Sequence, residues 1–330
     1  MPGIGESNAV TQEPESKTDP RLSVKIGAVE LKNPTILASG VLGVASGGLV
    51  RAWSEGAGAV VTKTAGLKPR SGHPGPRIVG LHGNSLMNAM GIPNPGIQDY
   101  LPEITTAVKQ GVPVIGSAYG DNPKEFATVA VKLAKAGVVA VELNVSCPHV
   151  GSLYLLGLDP DGVADVVTEA KKQTKGKVPI WVKLPGSTDY PRLIRVAQSA
   201  EAAGASALVA LNTLPALALD IESRRPLLGA GIGGLSGPAI KPVALRAVWE
   251  LHRAGIKLPI IGVGGIQRGD DVIEFLLAGA TAVEIGSGVL IRGTTIFSRI
   301  CKEIGEYLSR HEINQISELI GRIQEEGVNP

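Results

Sequence analysis

Residues 259–288 read PIIGVGGIQRGDDVIEFLLAGATAVEIGSG, and this stretch decides the fold. An apolar run, Pro259–Val263, ends in Gly264-Gly265; a segment with helical apolar spacing follows near 270–278; a second apolar run, Ala282–Gly286, ends in Ser287. Two nearly continuous apolar strands joined by one helix make a parallel crossover unit, of the kind found where helices cover both faces of a sheet. The same alternation extends back to residue 34. Strands are expected at 35–39, 59–64, 113–118, 140–144, 179–184, 207–212, 259–263 and 282–286. Helices are expected near 47–55, 97–110, 122–137, 161–174, 190–203, 239–254, 270–278 and 294–309, with Asp121 and Asp270 read as helix-start signals. Eight β/α units fit a closed barrel better than an open sheet, which usually carries five or six strands. The expected fold class is α/β, a (β/α)8 TIM barrel.

Around this barrel, Leu22–Leu31 (LSVKIGAVEL) alternates apolar and polar residues about Gly27, a hairpin pattern suited to capping the barrel bottom. Ala65–Pro95 and Leu214–Gly237 are too long for simple βα loops and should overhang the C-terminal face. Within the second, Gly229 to Gly234 matches G-x-G-x-x-G, but no preceding strand places it in a dinucleotide fold, and it reads as a flexible loop. Residues 313–325 read as one last amphipathic helix. Residues 1–20 are polar, lack the apolar core of a signal peptide and read as a disordered lead-in; residues 21–330 read as a single catalytic domain.

Composition narrows the partners. Lys+Arg 32 against Asp+Glu 30 leaves a formal charge of +2, which argues against nucleic acid. Gly 43 and Pro 23 make a fifth of the 330 residues, against a usual share of roughly 12%. With 44% apolar residues a core can form, so the excess belongs to loops. Cys147 and Cys301 are too few for a disulfide framework, a four-thiolate zinc site or an iron–sulfur cluster held by this chain alone. The histidines lack metal-ligand spacing, so no metal is expected. No run of 18 apolar residues occurs, and a cytoplasmic protein without a membrane span is expected.

In a barrel of this kind the reacting face is the C-terminal end of the strands. Those ends read Ser39-Gly40, Lys63-Thr64, Ser117, Asn144 with Ser146-Cys147, Lys183, Asn212-Thr213, Gly264-Gly265 and Gly286-Ser287. The two glycine-rich ends supply bare N–H groups after strands seven and eight, the usual phosphate cradle. Lys63 and Lys183 suit either a Schiff base or the pairing of an anionic ligand. Cys147 follows a strand among Asn and Ser and reads as a reactive group, whereas Cys301 lies mid-helix among isoleucines and reads as packing.

Longer motifs add to this reading. They are Asn33-Pro34 with Ala38-Ser39-Gly40, Thr62-Lys63-Thr64, Pro74 to Arg77, MNAMGIPN (Met87–Asn94), ELNVSCP (Glu142–Pro148), Val182-Lys183-Leu184, Asn212-Thr213, GGLSGPAIKP (Gly233–Pro242) and Gly262 to Ile266. Together they resemble class 1 dihydroorotate dehydrogenases, of the NAD-linked subclass and its archaeal relatives, over residues 22–310. The resemblance implies a barrel that holds FMN and oxidises dihydroorotate to orotate in pyrimidine biosynthesis. It implies FMN phosphate on Gly264-Gly265 and Gly286-Ser287, the flavin ring near Ala38, Ser39, Gly40 and Thr64, and Ser236-Gly237 closing over it. Ser117 and Asn144 would also meet the cofactor, and Lys183 would face its N1–O2 edge. Lys63 would be catalytic and would bridge flavin and substrate; substrate would also be held by the backbone at Met90, Gly91 and Ile92 and by Asn88, Asn144, Asn212 and Thr213, with Cys147 removing the C5 proton as C6 gives hydride to flavin N5. Electrons would pass to a separate subunit carrying FAD and an iron–sulfur cluster, as in the NAD-linked subclass, with a soluble acceptor or a quinone left open, in a homodimer or a heterotetramer.

Three features depart from the family pattern: His149 replaces an Asn, Ser117 replaces an Asn, and Gly151–Leu158 is unusually apolar and reads as a lid or partner contact. His149 keeps an FMN-dependent dihydropyrimidine (uracil) dehydrogenase as an alternative. The strand-end lysines keep a flavin-free Schiff-base lyase as another.

Overall fold

The computed structural model describes residues 19–146 and 156–324. The expected lead-in before Asp19, Cys147, His149 and most of the 151–158 segment lie outside the described residues.

A closed parallel barrel forms from β1 (Thr35–Leu37), β2 (Ala59–Val61), β3 (Val114–Ala118), β4 (Ala140–Asn144), β5 (Ile180–Lys183), β6 (Ala207–Ala210), β7 (Ile260–Val263) and β8 (Ala282–Ile285). Each strand pairs with the next, and β8 closes onto β1 with Val283 opposite Thr35. The helices that cover it are α1 (Ser46–Ser54), α2 (Ile97–Lys109), α3 (Pro123–Lys135), α4 (Pro160–Thr174), α5 (Tyr190–Ala202), α6 (Lys241–Arg253), α7 (Gly269–Leu277) and α8 (Ile296–Arg310), with a short helix, Ser287–Arg292, ahead of the last. Strands and helices thus fall where the apolar alternation put them. β1, β2, β3 and β4 are buried along their whole length, as a sheet covered on both faces requires.

Local signals explain the helix ends, with two shifts from the sequence reading. Asn122, not Asp121, caps α3: its side chain accepts from the Glu125 N–H at 3.1 Å, and Pro123 follows with its fixed φ. α7 begins at Gly269, so Asp270 lies inside its first turn. There the Asp271 carboxylate reaches back to the N–H groups of Gln267 and Arg268 at 2.8 and 3.0 Å, doing from inside the helix what a cap does from outside. α8 buries Ile296, Phe297, Ile300, Ile304 and Leu308 along one stripe, each contributing about 1.5–3 kcal/mol of transfer energy.

The N-terminal hairpin pairs Val24–Ile26 with Val29–Leu31 around Gly27, whose φ of 60° suits a tight turn. A Cβ at Gly27 would stand 3.5 Å from the Ser206 carbonyl, just before β6, so the hairpin covers the bottom of the barrel as expected. Residues 313–324, the described part of the segment expected to be a last amphipathic helix, by contrast form no α-helix. Only a single 3-10 turn, Ile316–Leu319, docks two buried side chains before Gly321 takes a φ of 69°.

The two long connections do something the sequence did not announce: they pair with one another. Leu214–Ala216, Gly233–Ser236, Leu86–Asn88 and Ile78–Gly80 form a four-stranded antiparallel sheet in that order, over a small core of Met87, Ala89 and Leu228. The glycine-rich stretch expected to be a flexible loop is therefore partly strand. Its glycines permit close approach, since a Cβ at Gly229 would meet the Gly75 carbonyl oxygen at 2.3 Å and one at Gly233 would meet Leu228 Cδ1 at 2.2 Å.

Candidate active site

The ends of seven of the eight strands converge on one cavity. Its wall takes Ala38, Ser39 and Gly40 after β1, Lys63 and Thr64 after β2, Asn144 at the end of β4 and Lys183 at the end of β5. Asn212 and Thr213 follow β6, Gly264 and Gly265 follow β7, and Gly286 and Ser287 follow β8. The antiparallel sheet closes over it with Asn88, Ser236 and Gly237, and Met90, Gly91 and Ile92 join the lining. Of the residues expected at the site, only Ser117 and Cys147 are not placed on this wall. Cys147 lies outside the described residues. Ser117 is wholly buried as the residue before the last of β3, and its hydroxyl lies behind Thr64.

Hydrogen bonds fix the polar side chains before any ligand arrives. Asn144 donates from Nδ2 to Thr64 Oγ1 at 3.2 Å and accepts at Oδ1 from Ser146 Oγ at 3.0 Å. Asn212 donates from Nδ2 to Ser146 Oγ at 3.0 Å, while its Oδ1 accepts from the Thr213 N–H at 2.8 Å. Ser146 thus ties the two amides together, a role its sequence position as one more polar strand end did not reveal. Thr64 Oγ1 also meets Ser39 Oγ at 3.1 Å and Ser117 Oγ at 2.9 Å, so Ser117 reaches the cavity through Thr64. Beneath Lys63, its own N–H donates to the Gly43 carbonyl at 2.9 Å, and the Tyr100 hydroxyl donates to the same oxygen. Burial raises the Tyr100 pKa, keeping that hydroxyl a donor.

The glycine ends make a backbone cradle. Gly264 and Gly265 have φ of 140° and 74°, and a Cβ on either would come within 2.7 Å of the Cβ of Ala244 or Lys241. Only glycine lets this turn lie against α6. No acceptor among the described residues takes the N–H of Gly265 or of Ser287, so both remain available to an anionic group.

The floor carries charge that the sequence reading passed over. Lys183 Nζ lies 2.7 Å from Glu284 Oε2 and 3.8 Å from Glu142 Oε2, and both carboxyl side chains are fully buried. Burial works against the Lys183 ammonium, but the charges of Glu142 and Glu284 outweigh it and hold its pKa above the ordinary lysine value. Burial first, and the charge of Glu284 second, push Glu142 well above the usual carboxylate range, against the pull of Lys183. A signal existed: AVELN (140–144) and AVEIG (282–286) each carry a glutamate at the third position of an apolar strand, where a charge needs a partner.

A barrel with a backbone anion cradle, a buried lysine–carboxylate cluster at its floor and a ring of fixed amides defines an enzyme that holds a phosphorylated ligand beside a polar ring. Comparison with known proteins gives this class its family. The family model described as dihydroorotate dehydrogenase matches residues 21–308. The chain is 44% identical over 310 residues to the catalytic subunit of dihydroorotate dehydrogenase B (NAD(+)) from Methanocaldococcus jannaschii, covering 92% of this chain and 98% of that one. It is 44% identical to the protein of the same name from Pyrococcus furiosus, covering 92% and 99%. A crystal structure of DHODH from Eimeria tenella in complex with ferulenol matches with a TM-score of 0.82 at 22% identity, over 94% of this chain and 90% of that one, which speaks for the fold. The chain belongs to the dihydroorotate dehydrogenase family of FMN-dependent oxidoreductases. No helix among the described residues is long and apolar enough to cross a membrane, and no cluster of His, Cys, Asp or Glu there suits a metal.

Proposed function

We propose that this cavity oxidises dihydroorotate to orotate with Cys147 as the base, and that the chain hands its electrons to a separate subunit. The observation that carries the reading is the convergence of Asn88, Asn144 and Asn212 with Lys63 on one cavity whose far wall is the glycine cradle. FMN fits the donors present: the Gly265 and Ser287 amides suit its phosphate, and the Lys183 ammonium suits the edge of a flavin ring where negative charge collects on reduction. When bound, FMN supplies the hydride acceptor.

The chain's own residues do the rest. A planar ring of carbonyls and N–H groups is read by side chains that both donate and accept, and the amides of Asn88, Asn144 and Asn212 offer both. Lys63, with the backbone at Met90, Gly91 and Ile92, takes the substrate carboxylate. Ser146 holds two of the amides in a fixed relation, so little reorganisation accompanies binding. Cys147, three residues past the end of β4 in the ELNVSCP segment, removes the C5 proton as a thiolate. The partner subunit reading rests on the relatives named as catalytic subunits of an NAD(+) enzyme, together with a chain whose two cysteines cannot hold a cluster. Association as a homodimer or heterotetramer belongs to the same reading, as does residues 21–330 forming one catalytic domain in the cytoplasm.

The test is colour. Purified protein should be yellow, and dihydroorotate should bleach the flavin band under anaerobic conditions while dihydrouracil does not. The reverse preference would replace dihydroorotate by a neutral pyrimidine, and colourless protein that FMN cannot reconstitute would sink the flavin reading.

A further inference from the structure

Glu142 and Glu284 stand on β4 and β8, four strands apart in an eight-stranded ring, so they face each other across the barrel interior. Lys183 from β5 reaches both, at 2.7 Å to Glu284 and 3.8 Å to Glu142. Each carboxyl has one oxygen accounted for by a close donor: Ser117 Oγ donates to Glu142 Oε1 at 3.2 Å, and Lys183 donates to Glu284 Oε2. The remaining oxygens, Glu142 Oε2 and Glu284 Oε1, are buried and no donor reaches either within hydrogen-bond distance. Two buried, orphaned carboxylate oxygens, one of them on Glu284 at the floor of the cavity itself, leave a net negative charge around the Lys183 ammonium that burial penalises heavily.

We propose that Glu142 and Glu284 hold one proton between them, so that the cluster with Lys183 is electrically neutral beneath the cavity. That proton supplies the missing donor, and it turns an uncompensated charge into an ordinary buried ion pair beside a neutral acid. Burial and the neighbouring carboxylate both hold Glu142 above the usual carboxylate range, the direction a shared proton requires. The two glutamates are positioning residues. They aim the Lys183 head at the cavity floor, and their proton count sets the field there. A cluster with both carboxyls ionised would oppose the negative charge that reduction brings to a bound flavin, whereas a neutral one leaves the ammonium to stabilise it.

The proton count concerns this chain alone; its effect on the flavin rests on the cofactor reading above, and the experiment separates the two. Isotope-edited infrared spectroscopy of the purified enzyme, with 13C-labelled glutamate, should show one protonated glutamate carbonyl band in the wild type. The band should vanish in Glu142→Gln and in Glu284→Gln, because either amide does the proton's work. Absence of the band in the wild type, or its survival in either variant, would overturn the proposal, and the wild-type spectrum decides even if a variant fails to fold. The midpoint potential of the bound flavin supplies the second readout. A first amide replaces a neutral acid and a second removes a charge, so nearly all of the upward shift should appear in the double variant, with strong non-additivity. Two equal steps would mean both carboxyls are ionised in the wild type.

Discussion

The two ends of the barrel each hold a lysine beside ionisable neighbours, and they treat it in opposite ways. Beneath the mouth, Lys183 sits among two carboxyls and its pKa rises. At the bottom, Lys32 and Cys301 line a cavity with Arg21 and Asp19. There surrounding protein desolvates the Lys32 ammonium and lowers its pKa, although the side chain as a whole is exposed, and burial pushes the Cys301 thiol up to about 11. Burial alone favours the neutral form of both groups, and only a packed counter-charge reverses that. Charge is therefore held where ligand chemistry needs it and discouraged where packing suffices.

The largest way to break this contrast is to remove the cation at each end. Lys183→Met should cost about 3–5 kcal/mol of stability in urea unfolding, because it strands buried carboxyl charge. Lys32→Met should cost under about 1 kcal/mol, and an equal loss would erase the distinction. The two cysteines sharpen it next. Cys147→Ser should lower kcat on the order of 10²-fold or more, the loss of a general base, whereas Cys301→Ser should leave turnover close to wild type. Comparable losses would remove Cys147 from the mechanism.

Smaller effects follow from the glycine turns and from pH. Gly265→Ala has both a φ of 74° and a 2.7 Å clash to absorb, so it should cost about 1–3 kcal/mol and weaken FMN binding roughly tenfold or more. Gly27→Ala at the bottom carries the φ of 60° without a clash and should leave FMN affinity unchanged in a flavin titration. For Glu142, the unfolded chain releases its proton above about pH 4.5 while the folded chain keeps it, so its contribution to stability declines as pH rises toward the folded pKa. Glu142→Gln should flatten that slope in urea midpoints measured above pH 5. Cys301 acts the same way higher up, losing stability between pH 9.0 and about 11, and Cys301→Ala should flatten only that window.

Much of this was written in the sequence. The apolar alternation placed all eight strands, and the polar or glycine residues at their ends named the strand-end part of the cavity wall, because strand ends in a parallel barrel are local features that point one way. The same local reasoning put Ser117 on that wall, whereas the structure buries it behind Thr64. It also turned residues 313–325 into a helix, since amphipathic spacing does not reveal whether a core exists to receive it.

What the sequence by itself determined was the barrel, its reacting face and the chemical types gathered there. What only the tertiary structure decided was pairing over distance. The antiparallel sheet joins residues about 150 positions apart, and Lys183 meets Glu142 and Glu284 from three different strands. A glutamate inside an apolar strand announces that it needs a partner, but which partner is set by barrel closure, and periodicity along one strand carries no information about the strand opposite.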